Sequence, residues 1–196
     1  MNDSKKLLSV KNMAKISILS VIAFILMQIE LPLPIFPSFL KVDLSDLPAL
    51  IGGFALGPAV GILIELFKNL MHLARTSTSG VGELANFLVG IALVVPASMI
   101  YFRNKTKKNA IIGLLVGTII MGIVGGLFNY FVLLPFYANV MKFPMDAIVS
   151  MGTIVNKNIV DVKTLIFYAI IPFNVFKGVV ISVFTLLVYK RISRLL

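Results

Sequence analysis

The chain has no cysteine in its 196 residues, which excludes disulfides, thiolate metal sites and thiol catalysis together. Imidazole is almost as scarce. His72 is the single histidine, too little for a typical zinc site, so an interfacial role is expected of it. Charge is thin too, at 13% of residues, where soluble domains carry about a quarter. Acids in particular are few: eight Asp and Glu stand against eighteen Lys and Arg, for a net charge of +10.

What is abundant is apolar surface. Hydrophobic residues make up 59% of the chain and the mean hydropathy is +1.01, which places the protein in a membrane. A spanning helix takes ~20 apolar residues, so roughly five to seven spans fit. No room is left for a soluble catalytic or nucleotide-binding domain, and residues 1–196 are expected to form a single transmembrane domain.

Lys5, Lys6, Lys11 and Lys15 precede an apolar run from Ile16 to Ile29. The run meets Gln28, Ile29, Glu30, Leu31 and Pro32 rather than a small-residue cleavage site, so a retained first helix is expected in place of a signal peptide. Prolines 32, 34 and 37 then prevent a helix. The loop from Leu31 to Leu47 is nonetheless apolar, and Ile35, Phe36, Phe39 and Leu40 are expected to fold back onto helix ends or over a ligand. Residues 47–74 read as two short helices, about 48–56 and 59–74, broken at Gly57-Pro58. Further spans are expected at about 83–102, 110–134 and 164–189, with 135–163 as a long external loop. The total is six.

Charge placement tests that count, because short cytoplasmic loops are enriched in Lys and Arg. With six spans and the amino terminus inside, the inner side holds Lys5, Lys6, Lys11, Lys15, Arg103, Lys105, Lys107, Lys108, Lys190, Arg191 and Arg194. A single helix over 47–74 would move the Arg103–Lys108 cluster outside. The same distribution accounts for the positive charge through anionic lipid, without nucleic acid.

Small residues recur at helix-packing intervals. Gly53, Gly57 and Gly61 are spaced by four, as are Gly113 and Gly117, and Gly122 and Gly126, which suits close approach of helices in lipid. In the first helix Ala14, Ser17, Ser20 and Ala23 recur every third residue, a stripe expected to leave a shallow groove for another helix.

Polar side chains within spans are costly and therefore functional candidates. Glu65 and Lys68 are three apart and read as an intrahelical pair. Glu83 and Asn86, in GELANF, are three apart on one face, though Glu83 also suits a helix amino terminus. Asn129, in GLFNYF, lies near the outer end of its span. Asn174 and Lys177, in PFNVFKG, are three apart, and Lys177 is too deep to snorkel outward; a helix carbonyl or Glu83 would be its structural partner. Together these residues offer amides, an ammonium group and aromatic rings on the outer half of the last three helices. That set matches a flat heterocycle with alternating carbonyl and imide groups at its edge.

The loop FPSFLKVDLSDLPALIGGFALGP, with GELANF, GLFNYF and PFNVFKG in that order, resembles the riboflavin-specific S components of energy-coupling factor (ECF) transporters. The resemblance runs from about residue 12 to the carboxyl terminus. It implies a six-helix bacterial cell-membrane protein with both termini cytoplasmic, which binds riboflavin from outside and catalyses nothing. It further implies Asn129, Asn174 and Lys177 as polar contacts, Glu83 and Asn86 as lining, and Phe39, Leu40 and Asp43 as a loop cover. The implied partners are a membrane T component and two ATPases, with riboflavin as cargo rather than cofactor. The absence of a GxxxxGK phosphate loop agrees with ATP hydrolysis in a partner. Docking in this family uses an AxxxA pattern in helix one. Here Ala14 is followed four positions later by Ile18, and the stripe Ala14, Ser17, Ser20 and Ala23 is the candidate substitute.

Three alternatives remain at this level. An S component for thiamine, biotin or another vitamin would share the architecture. An intramembrane enzyme would need a Ser-His pair or a carboxylate dyad at membrane depth, and one histidine with no close acid pair within the spans speaks against it. A self-sufficient transporter would be expected to show internal repeats, and none is clear.

Overall fold

The computed structural model describes residues 9–192; Lys5, Lys6 and Arg194 lie outside that range. Helix α1 (Val10–Met27) begins ahead of its apolar run because Ser9 caps it, accepting from the Asn12 backbone. Beyond it, β1 (Leu31–Pro32) and β2 (Lys41–Val42) pair antiparallel, Leu31 opposite Val42. The prolines between them hold the chain in turns. Phe36 folds inward, its ring centroid 5.3 Å from Phe173 and 5.7 Å from Phe176. Ile35, expected to fold back as well, is instead 64% exposed.

Helices α2 (Asp46–Leu56) and α3 (Pro58–His72) form a hairpin at the expected break. Gly57 sits at φ +111°, a conformation that L side chains rarely adopt, and Pro58 opens α3, where its missing N–H costs nothing. The two helices touch almost backbone to backbone. A Cβ on Gly61 would lie 3.2 Å from the Ala49 carbonyl oxygen.

The long helices are α4 (Val81–Arg103), α5 (Lys107–Phe128) and α9 (Ile171–Ile192). Gly113 and Gly117 let α5 approach α4, where added Cβ atoms would meet the carbonyls of Ala97 and Leu93 at 2.7 and 2.5 Å. Gly122 and Gly126 do the same toward Val175 and Ile171. The glycine intervals therefore serve packing inside the chain.

Helix α5 widens into a π turn, Asn129–Leu133, and continues as α6 (Leu134–Asn139). A second π turn, Ile166–Ile170, joins α8 (Val162–Leu165) to α9. Asp161 caps α8, and the Thr164 backbone N–H at 2.7 Å holds its carboxyl below the usual carboxylate range.

Residues 135–163 are not a simple loop. They contain most of α6 and all of α7 (Met145–Val155). The segment coils because Ile148 and Gly152 share a helix face, and Ile148 packs with Leu134, Ile159, Leu165, Ile166, Ala169 and Ile170 in a small core of its own. A larger core joins Leu19, Leu50, Phe54, Ile64, Leu93, Leu114 and Ile181 across the remaining helices.

Among the described residues four helical stretches are long and apolar enough to cross a bilayer: Val10–Met27, Val81–Arg103, Lys107–Asn139 and Val162–Arg191. The chain is thus an all-α, multi-pass membrane protein. The expected count of six also included α2 and α3. At 11 and 15 residues these are about 16 and 22 Å long, short of the ~30 Å hydrocarbon core when taken singly.

Candidate ligand-binding site

A cavity of about 430 Å³ opens where the two cores meet, a size within the roughly 300–1,000 Å³ of small-molecule pockets. Phe39, Leu40, Asp43, Asn86, Asn129, Asn174 and Lys177 all line it. Five elements contribute these seven side chains: the β1–β2 loop, the residues after β2, α4, the first π turn and α9.

The two asparagines converge on one glycine. Asn129 donates to the Gly125 carbonyl at 2.8 Å, and a Cβ on Gly125 would stand 2.6 Å from Asn174 Nδ2. Asn174 in turn donates to the Ile170 carbonyl at 2.8 Å. Each amide is pinned through its NH₂ group to its own helix, which leaves its oxygen free as an acceptor. Asn86 adds a third: its Oδ1 is buried and has no hydrogen-bond partner. A buried orphan acceptor is expensive, and facing a cavity it is an open offer to a ligand donor. The π turns matter here. The extra residue in a π turn widens the helix and shifts the face that follows, and Asn129 stands at the start of one while Asn174 lies four residues beyond the other.

Lys177 is 6% exposed, and its partner is neither a helix carbonyl nor Glu83. Its Nζ donates to Asp43 Oδ2 at 2.8 Å and stands 3.6 Å from Asp46 Oδ2. Asp43 also accepts from the Ser45 backbone at 2.8 Å. Lys68 does pair with Glu65, at 2.8 Å, but it donates as well to Asp46 and, at 2.9 Å, to Ser45. Asp46 and Glu65 thus form a close acid pair that spacing alone did not reveal, since they come from different helices. Both are fully buried and tied to Lys68, which leaves no reacting atom within reach.

Glu83 is not in the cavity wall. Its carboxylate accepts from Thr76 at 2.9 Å and Thr78 at 3.1 Å and meets His72 Nδ1 at 2.9 Å. It stands in the first turn of α4, where it ties down the 73–80 connection, and Thr78 rather than Glu83 reaches the cavity. His72 thus has a structural partner in Glu83.

Sequence reasoning missed part of the wall. Tyr137, Phe143, Ile148 and Met151 line the cavity from α6 and α7, the region read as a loop, and Phe173 adds a buried ring from α9. The apolar stretch MDAIVSMGTIV was the available signal. Glu30 and Lys41, paired across the β1–β2 loop, stand at the exposed rim.

The stripe of α1 does not form one groove. Ala14 and Ser17 are exposed, whereas Ser20 and Ala23 are buried against the protein's own core. A three-residue step falls about 60° short of a full turn, so across nine residues the stripe passes to the opposite side of the helix. Ser20 is satisfied internally, donating to the Ile16 carbonyl at 2.8 Å.

A bundle of membrane helices enclosing a polar-edged cavity of this size has the form of a membrane-embedded binding protein for a small organic ligand. The chain belongs to the family of substrate-specific components of ECF transporters, whose family model matches residues 11–189. It is therefore a binding subunit and not an enzyme. It is 39% identical over 186 residues to the riboflavin transporter RibU of Staphylococcus aureus (strain TCH60), an alignment covering 95% of this chain and 92% of that one. It is also 34% identical over 189 residues to the riboflavin transporter FmnP of Bacillus subtilis (strain 168), covering 95% and 94%. The solved S component of a bacterial ECF transporter superposes with a TM-score of 0.74 at 38% identity, covering 94% of this chain and 96% of that one.

Proposed function

We infer that this chain is a riboflavin-binding S component, which captures the vitamin at the outer face and delivers it when coupled to a membrane T component and two ATPases. The observation that carries the reading is the likeness, over 95% of the chain, to a transporter named for riboflavin. The cavity supports it. Riboflavin presents a flat tricyclic ring with a carbonyl and imide edge and a hydroxylated chain. Amide and ammonium groups suit the edge and the hydroxyls, and Phe39, Tyr137, Phe143 and Phe173 suit the faces. Asp43 and Leu40 act as cover, Asn86, Asn129, Asn174 and Lys177 as polar contacts, and Glu83 as an anchor one step behind the wall.

In this reading residues 1–196 are one transmembrane domain with six passages and both ends cytoplasmic. Support for α2 and α3 as passages comes from Gly57, whose turn lies beside Phe102 near the inner end of α4, while the buried Val42, Asp43 and Ser45 lengthen α2 outward. Coupling falls to the exposed face of α1, where Ala14 and Ser17 flank Ile18. Riboflavin is cargo, and no cofactor is required.

Titration of detergent-purified, ligand-stripped protein against riboflavin, thiamine and biotin tests the assignment. A saturable riboflavin response near one per chain is expected. A flat riboflavin trace beside a strong response to another vitamin sinks it.

A further inference from the structure

The buried charges behind the cavity outnumber those that touch it. Three carboxylates, Asp43, Asp46 and Glu65, share two ammonium groups, Lys68 and Lys177. Only Asp43 and Lys177 line the cavity. Lys68 has no exposure at all and Asp46 only 1%. Such an arrangement is costly to bury and strongly sensitive to the loss of any one partner.

We propose that Lys68 is a positioning residue for ligand binding, holding Lys177 at the cavity wall by occupying the carboxylates that would otherwise draw it inward. The argument is geometric. Lys68 takes Asp46 Oδ1, Glu65 Oε2 and Ser45 Oγ, which leaves Lys177 only a long 3.6 Å contact to Asp46 Oδ2. Lys177 therefore keeps its short bond, 2.8 Å, for Asp43 on the cavity side, and its remaining N–H groups for a ligand. Without Lys68, Asp46 and Glu65 would both lose their ammonium partner, and Lys177, already 3.6 Å from Asp46, would be the nearest cation. Its ammonium would move toward them and release Asp43. The Lys68 ammonium also fixes the cover from beneath, because Ser45 and Asp46, to which it donates, follow directly after Asp43. Gly90 of α4 makes the arrangement possible, since a Cβ there would collide with the Glu65 carboxylate.

The inference rests on riboflavin as the ligand, and its test separates the two. Riboflavin dissociation constants are measured on monodisperse wild type, Lys68→Met, Lys68→Arg, Lys177→Met and the Lys68→Met/Lys177→Met double variant. Lys68→Met is expected to weaken binding by about tenfold or more, and Lys68→Arg to recover most of that loss. In the Lys177→Met background the Lys68 substitution should add less than about twofold, because a positioning residue has nothing left to position. Multiplying losses would mark a merely structural residue and overturn the proposal, as would a Lys68→Met constant within about twofold of wild type. If Lys68→Met does not yield folded protein, Ser45→Ala takes its place, removing one acceptor without stranding a charge. It is expected to cost about threefold in the wild-type background and nothing beside Lys177→Met, and no loss in either overturns the proposal. A wild type silent to riboflavin overturns the functional reading instead, and the same variants are then titrated with the vitamin that does bind.

Discussion

At the scale of single residues, the cavity depends on polar groups already half-satisfied within the protein, Asn129 and Asn174 by their own helices and Lys177 by Asp43. In the proposed reading Asn129 and Lys177 each contribute a polar contact to the ligand. Replacing either by Ala is expected to weaken riboflavin binding by about 1–3 kcal/mol, the range for losing a buried polar partner. Fluorescence titration checks this, and unchanged affinity in both variants would refute the site. Gly125→Ala should act on the same contacts from behind. Its Cβ would stand 2.6 Å from Asn174 Nδ2, so the amide must move, and a comparable loss of affinity is expected with the helices intact by circular dichroism. The asparagines and Lys177 were legible in the sequence because polar groups in apolar spans are few and each demands a reason. Glu83 was placed in the wall because it shares a helix face with Asn86. Spacing on one helix gives direction but not reach, and the loop threonines and His72 that claim its carboxylate belong to other segments. The partners of Lys68 and Lys177 were hidden for the same reason: Asp46 is separated from them by 22 and 131 positions.

At the scale of elements, the break at Gly57-Pro58 and the long helices follow from apolar runs and helix breakers, signals that are local. The π turns and α7 were not legible. A π turn needs one extra residue accommodated by neighbours, and α7 is held by contacts to Leu165 and Ile159 rather than by a span-length apolar run. Helix α1 carries a prediction that separates packing from docking. Ala23 is fully buried and Ala14 exposed. Ala23→Leu overfills the core and should lower stability by about 1–3 kcal/mol. Ala14→Leu should leave both stability and riboflavin affinity unchanged while reducing uptake in cells that carry the coupling module. Thermal unfolding, titration and uptake of labelled vitamin read the three effects separately. Loss of binding in Ala14→Leu would return that residue to the interior.

At the scale of the whole molecule, the cavity lies at the seam between two cores. Leu40, Leu134 and Ile148 belong with the smaller one, and Val89 packs against the larger one. A ligand filling the seam contacts both cores at once, so binding should register as global stability. At a free concentration one hundred times the dissociation constant, binding to the folded state alone contributes about 2.7 kcal/mol. For a chain of this length that corresponds to a rise in unfolding temperature of roughly 5–10 °C. The rise should appear with riboflavin in ligand-stripped wild type and should be clearly smaller in Lys177→Ala at the same concentration, because an affinity weaker by about 1–3 kcal/mol leaves only about 0.3–1.8 kcal/mol of that stabilisation. An equal rise in both proteins would mean that riboflavin stabilises the detergent-solubilised bundle without entering the cavity, and the seam would lose its role as the site that couples ligand to fold.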